Sequence, residues 1–147
     1  MSLYMRAVIR DWPEHELGDL VAFLREQDEG FTVSGGDWAD FEIQDLRGVA
    51  VLAADLTLGN EVREELAELT EFLSDHEGSV AAQQKVKAHL ENASAVVGMQ
   101  VLMSRYDDSV LAANQLITFL ERSPGVLTQV DTVGWYDGDE LILQEAE

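Results

Sequence analysis

The chain has no cysteine, two lysines, two prolines and no apolar run close to the roughly 20 residues that span a bilayer. Without cysteine there is no disulfide framework, no thiolate zinc site and no cysteine nucleophile. The opening residues Met1-Ser2-Leu3-Tyr4-Met5-Arg6 lack the apolar segment of a signal peptide. A cytoplasmic address and no membrane association are the expectations.

Positive charge is also scarce. Nine Lys and Arg stand against 29 Asp and Glu, a formal net charge of −20. Binding to nucleic acid requires basic residues that displace counterions, so a nucleic-acid partner is not expected. Lys85 and Lys87 are the only lysines, and arginine supplies the remaining positive charge. This acid-rich, lysine-poor balance resembles the composition of proteins from salt-loving organisms, which bears on habitat and not on activity. Three readings of the charge compete: a highly solvated surface suited to a salty cytoplasm, an acidic face shaped for a basic partner, or plain solubility.

At 147 residues with 46% apolar content, the chain is long enough to bury a core without staples, and one α+β domain over residues 1–147 is expected. Residues 4–10 read as a strand stopped by Asp11-Trp12-Pro13, with a helix to follow directly. Leu17, Leu20, Val21 and Leu24 make that helix's apolar stripe, and Gly30 closes it. Ser34-Gly35-Gly36-Asp37 reads as a turn between two extended pieces, and residues 49–58 as a more buried strand.

Residues 61–74 form the clearest helical pattern, capped by Asn60 and carrying Leu66, Leu69, Phe72 and Leu73 inward. Residues 79–92 fit both periods poorly, with helix the expectation. The run 95–103 has strand length, and Asp107-Asp108-Ser109 offers caps for a helix burying Val110, Ala113, Ile117 and Leu120. Residues 126–136 and 140–144 then form a hairpin whose Asp137-Gly138 suits a type I′ turn.

Two stretches echo one another, Val21-Ala22-Phe23-Leu24 before Gly30 and Ile117-Thr118-Phe119-Leu120 before Gly125. Each lies between a strand and a hairpin, and each hairpin holds a tryptophan with an aspartate two residues on, Trp38 with Asp40 and Trp135 with Asp137. Phe72-Leu73 before Gly78 repeats the helix ending alone, so Phe-Leu before a capping glycine is partly a generic solution. The expected fold is α+β in two layers: a largely antiparallel sheet with helices on one face and two strand-helix-hairpin units, an order compatible with a ferredoxin-like arrangement. An uncovered sheet face or edge would favour a homodimer.

No catalytic residue, cofactor site or metal site is assigned. His15, His76 and His89 show no ligand-pair spacing and lie in segments read as exposed helix or turn. The segment 137–140 lacks the alternating donors of a calcium loop, and Ser34-Gly35-Gly36-Asp37 lacks the lysine and following helix of a phosphate loop. No Gly-x-Ser-x-Gly elbow occurs.

What stands out instead is the stripe Glu61, Glu64, Glu65 and Glu68 on one helix side, together with Trp38 and Trp135 as candidate interface anchors. These six are the candidate partner-binding residues of a non-enzymatic, acidic protein-binding or regulatory domain. Two alternatives stay open. One is a small-ligand-binding protein or small enzyme with a pocket between sheet and helices near Trp38, Trp135, Asp40 and Asp137. The other is an inhibitor or immunity-type protein whose carboxylates mimic nucleic-acid charge.

Overall fold

The structure, a computed structural model, describes residues 3–146. Among these residues nine strands form one sheet: β1 (Leu3–Ile9), β2 (Phe31–Asp37), β3 (Asp40–Asp45), β4 (Ala50–Leu58), β5 (His76–Glu77), β6 (Ala95–Val101), β7 (Val126–Val130), β8 (Gly134–Asp137) and β9 (Glu140–Glu145). The four α-helices are α1 (Leu17–Gln27), α2 (Gly59–Glu71), α3 (Val80–Asn92) and α4 (Tyr106–Leu120). The sheet order is β2-β3-β4-β6-β1-β7-β8-β9-β5, with every pairing antiparallel. No helix among the described residues is long and apolar enough to cross a membrane.

The antiparallel α+β class matches the sequence expectation, but the helices do not share one face. Met5, Ala7 and Ile9 of β1 and Ala95, Val97 and Met99 of β6 pack with Leu20, Phe23 and Leu24 of α1 and Leu116, Ile117 and Leu120 of α4. The alternate residues Val8 and Val96 pack with Val62, Leu66 and Leu69 of α2 and Val86 and Leu90 of α3. Successive side chains of a strand point to opposite faces, so the molecule has three layers and not two. The continuous apolar run of β6 is explained by this double cover. Truncating a core residue such as Leu116, fully buried, to Ala costs about 2–5 kcal/mol.

The ferredoxin-like arrangement is present only as a fragment. Strands β6 and β7 both run antiparallel to β1, which lies between them, so β6-α4-β7 is a split βαβ unit. The series β1-α1-β2-β3-β4 and β6-α4-β7-β8-β9 repeat one element order. Their sheet positions differ: β2 starts at the sheet edge and the chain works inward to β4, whereas β7 starts beside β1 and the chain works outward to β9.

Several local expectations shift. The first helix begins at Leu17, not directly after Pro13, because Glu14 adopts φ 53°, outside the helical region. The Glu16 N–H donates to Asp19 Oδ2 at 3.1 Å, which caps the start. Residues 34–37 belong to β2, with a register shift between Gly35 and Asp37, and the turn falls on Trp38-Ala39. A Cβ on Gly35 would meet the Phe41 Cα at 2.9 Å, so this glycine serves a close approach of two strands. The last turn is centred on Gly138 and Asp139, since Asp137 pairs with Glu140, and of these two only Gly138 has positive φ. A type I′ turn needs both, and glycine at the first central position is instead the type II′ preference. The weakly patterned α3 is a helix, started by Ser79, whose Oγ accepts from the Ala82 N–H at 3.0 Å.

Candidate functional site

Helix α2 buries Val62, Leu66 and Leu69 at i, i+4 and i+7 against the sheet. The same spacing directs Glu61, Glu64, Glu65 and Glu68 along the helix's flank, where they border a groove of about 610 Å³. The opposite wall and floor come from β7, the turn after it, β8 and β9, through Gln129, Asp131, Trp135 and Glu145. Phe72, 57% exposed, stands at the wall with the half-buried His76.

Arg6 is the groove's single arginine or lysine. Alternation along β1 puts it on the same face as Val8, beneath α2. Its Nε donates to Glu65 Oε1 at 3.2 Å, and its Nη1 donates to Asp131 Oδ1 at 2.8 Å and Gln129 Oε1 at 2.7 Å. The Gln129 amide, itself buried, donates to the same Asp131 oxygen at 3.0 Å. Burial pushes the Glu65 carboxyl up, and the Arg6 guanidinium pulls against that shift.

Arg6 and Glu65 also line an adjoining hollow of about 540 Å³, with Asp40 and Asp55. The floor there is Gly98, where a Cβ would stand 2.8 Å from Asp55 Oδ1. Burial and the charge of Asp40 push Asp55 up. The acidic surface is therefore continuous from α2 across the sheet to the β2–β3 turn. In the main groove six carboxylates, Glu61, Glu64, Glu65, Glu68, Asp131 and Glu145, face one guanidinium. Chemically this arrangement accepts hydrogen bonds from ammonium and guanidinium groups and repels anions.

Of the six candidate residues, the structure gathers Glu61, Glu64, Glu65, Glu68 and Trp135 around this groove. Trp135 is floor, 1% exposed and packed in the core beneath α2 and α3. Trp38 lies in the other core, 7% exposed, edge-on to Trp12 at 5.1 Å and to Phe41 at 5.2 Å. The two tryptophans occupy opposite faces of the sheet, so no one pocket holds both. Nor are the histidines simply exposed: the His15 ring lies tilted against Phe119 at 4.8 Å between centroids, His76 Nδ1 is 2.8 Å from the Phe72 carbonyl, and His89 Nε2 is 2.7 Å from the Val8 carbonyl. Burial lowers the pKa of both His15 and His89.

Sequence reasoning missed Arg6, Asp131 and Glu145. The period-two pattern of residues 4–10 carried half of the signal, since it sets Arg6 beside Val8 on one face. The pairing of β1 with β7, which brings Asp131 within reach, is a contact across more than 120 residues that no local pattern reports. No protein-family model, curated protein or solved structure matches the chain.

Proposed function

We propose that the protein is a non-enzymatic binding domain that engages a basic protein segment through the groove between α2 and strands β7 to β9. The observation that carries this reading is the excess of six carboxylates over one guanidinium in a concave, continuous site. A basic segment gains charge-assisted hydrogen bonds there and is steered by the field of a chain of net charge −20. Phe72 adds an exposed aromatic face on which a guanidinium can stack. Glu65 and Asp131 are held by Arg6 and shape the site, which leaves Glu61, Glu64, Glu68 and Glu145 as the contacting groups.

The test is titration of a labelled octa-arginine peptide, followed by fluorescence anisotropy at low salt. The triple variant Glu61→Lys, Glu64→Lys, Glu68→Lys is compared with Glu26→Lys, Asp28→Lys, Glu29→Lys at the end of α1, which changes net charge equally. The groove variant is expected to weaken binding about tenfold or more, with the control variant near wild type. An equal loss in both would show net charge at work and no site, and would overturn the reading.

A further inference from the structure

On the face opposite the acidic groove, α1 and α4 leave part of the sheet uncovered. Strands β1, β7 and β8 present Met5, Thr128, Val130 and Tyr136 there, in a register where Ala7, Thr128 and Tyr136 stand side by side. One stripe of α4 borders this strip, Asn114, Ile117, Thr118 and Glu121 at i, i+3, i+4 and i+7. Gly138 and Asp139 of the β8–β9 turn close the end. The cavity measures about 430 Å³, within the range of small-molecule sites.

The cavity's lining is mixed, with Met5, Ile117, Val130 and Tyr136 supplying the apolar part. Two properties distinguish it from the groove beneath α2. Its lining contains no lysine or arginine, and neither Glu121 nor Asp139 makes an ion pair among the described residues. Thr128, 5% exposed, lines the cavity and makes no side-chain hydrogen bond among the described residues, so its hydroxyl is available to a ligand. By contrast, the Thr118 hydroxyl is already spent on the Asn114 carbonyl at 2.8 Å.

We infer that this cavity is a binding site for a small organic ammonium with an apolar or aromatic body. Met5, Ile117, Val130 and Tyr136 take the body, Glu121 and Asp139 take the ammonium, and Thr128 accepts or donates one further hydrogen bond. Anions are repelled by both carboxylates, and a neutral molecule of the same shape leaves them uncompensated. Burial and the neighbouring Asp139 and Asp137 push the Glu121 carboxyl up, a cost that a bound cation removes. Asp137 itself is paired with Lys85 on α3, so its charge is partly used.

The probe is phenethylammonium, titrated into the ¹⁵N-labelled protein, with 2-phenylethanol and phenylacetate as neutral and anionic matches of shape. Saturable shifts in amides of α4 and of β7 and β8 are expected for the ammonium alone. Glu121→Gln is expected to weaken it about tenfold and Thr128→Val, which keeps the volume, about threefold or more. Both variants are checked for a wild-type amide spectrum before titration. The inference is overturned if the ammonium gives no saturable shift up to about 10 mM, if the alcohol binds as well as the ammonium, or if both variants bind like wild type.

Discussion

Arg6 Nε lies 3.2 Å from Glu65 Oε1, so the central strand β1 is tied directly to the helix that walls the acidic groove. The Arg6 side chain is 24% exposed and that of Glu65 29%, which makes the pair neither a surface contact nor a fully buried one. Replacing Arg6 with Gln removes the charge that offsets Glu65 and Asp131 together. A loss of about 1–2 kcal/mol is expected in urea unfolding, since the carboxylates relax toward solvent. Adding Glu65→Gln to that variant should restore part of it. The same Arg6→Gln change should tighten octa-arginine binding, because the groove gains negative charge, and a stability loss with weaker binding would contradict this assignment of roles.

Gly134 is the least replaceable residue of the β8–β9 hairpin. It has φ 143°, and a Cβ would lie 1.9 Å from the Leu143 carbonyl oxygen on the neighbouring strand. Gly134→Ala should cost about 3 kcal/mol or more, because backbone must move. Gly36→Ala, where nothing stands within 4 Å and φ is not positive, should stay within about 0.5 kcal/mol of wild type or improve on it. Thermal unfolding of the two variants side by side checks the contrast.

Elements were legible where one pattern dominates and obscure where contacts decide. The α2 helix and the β6 strand are local signals: Leu66 and Leu69 are buried as expected, but α2 stops at Glu71 and leaves Phe72 57% exposed, and β6 stops at Val101, two residues short of the apolar run. Gly35 and Gly36 suggest a turn because glycine permits one, whereas Gly35 is required by the crossing Phe41, which only the β2–β3 pairing creates. The short strand β5 (His76–Glu77) exists only because β9 pairs with it, and the reading of 72–78 as a plain helix ending could not show that. The division of helices between two faces was equally hidden, since an amphipathic helix records that it is covered and not which side of a sheet covers it. At the groove, the glutamates of α2 were readable from spacing, while Arg6, Asp131 and Glu145 depend on sheet order.

Asp45 accepts the Arg47 N–H at 2.9 Å and the Val49 N–H at 3.1 Å through Oδ1, and Arg105 at 3.1 Å through Oδ2. The bond from Val49 is the largest influence, and together they hold its carboxyl at about 2, below the ordinary 3.8. The folded state therefore binds this proton less readily than the unfolded chain. The stability it contributes is complete above the ordinary value and disappears as pH falls through about 2. Asp45→Asn should be less stable than wild type by a constant margin at neutral pH, with the margin shrinking between pH 3.8 and about 2. Urea midpoints measured across that window for both proteins give the answer, and a margin independent of pH would contradict it.

The acidic groove itself is tested most directly by mapping where a basic segment sits. Octa-arginine is titrated into ¹⁵N-labelled protein at low salt, and amide shifts are followed to saturation. The expected result is a set of shifts concentrated on α2 from Glu61 to Phe72, on Asp131 and Thr132, and on Glu145, lost in the Glu61→Lys, Glu64→Lys, Glu68→Lys variant. Shifts spread evenly over the acids of α1, α2 and α4, and persisting in that variant, would contradict a built site and leave only a negatively charged surface.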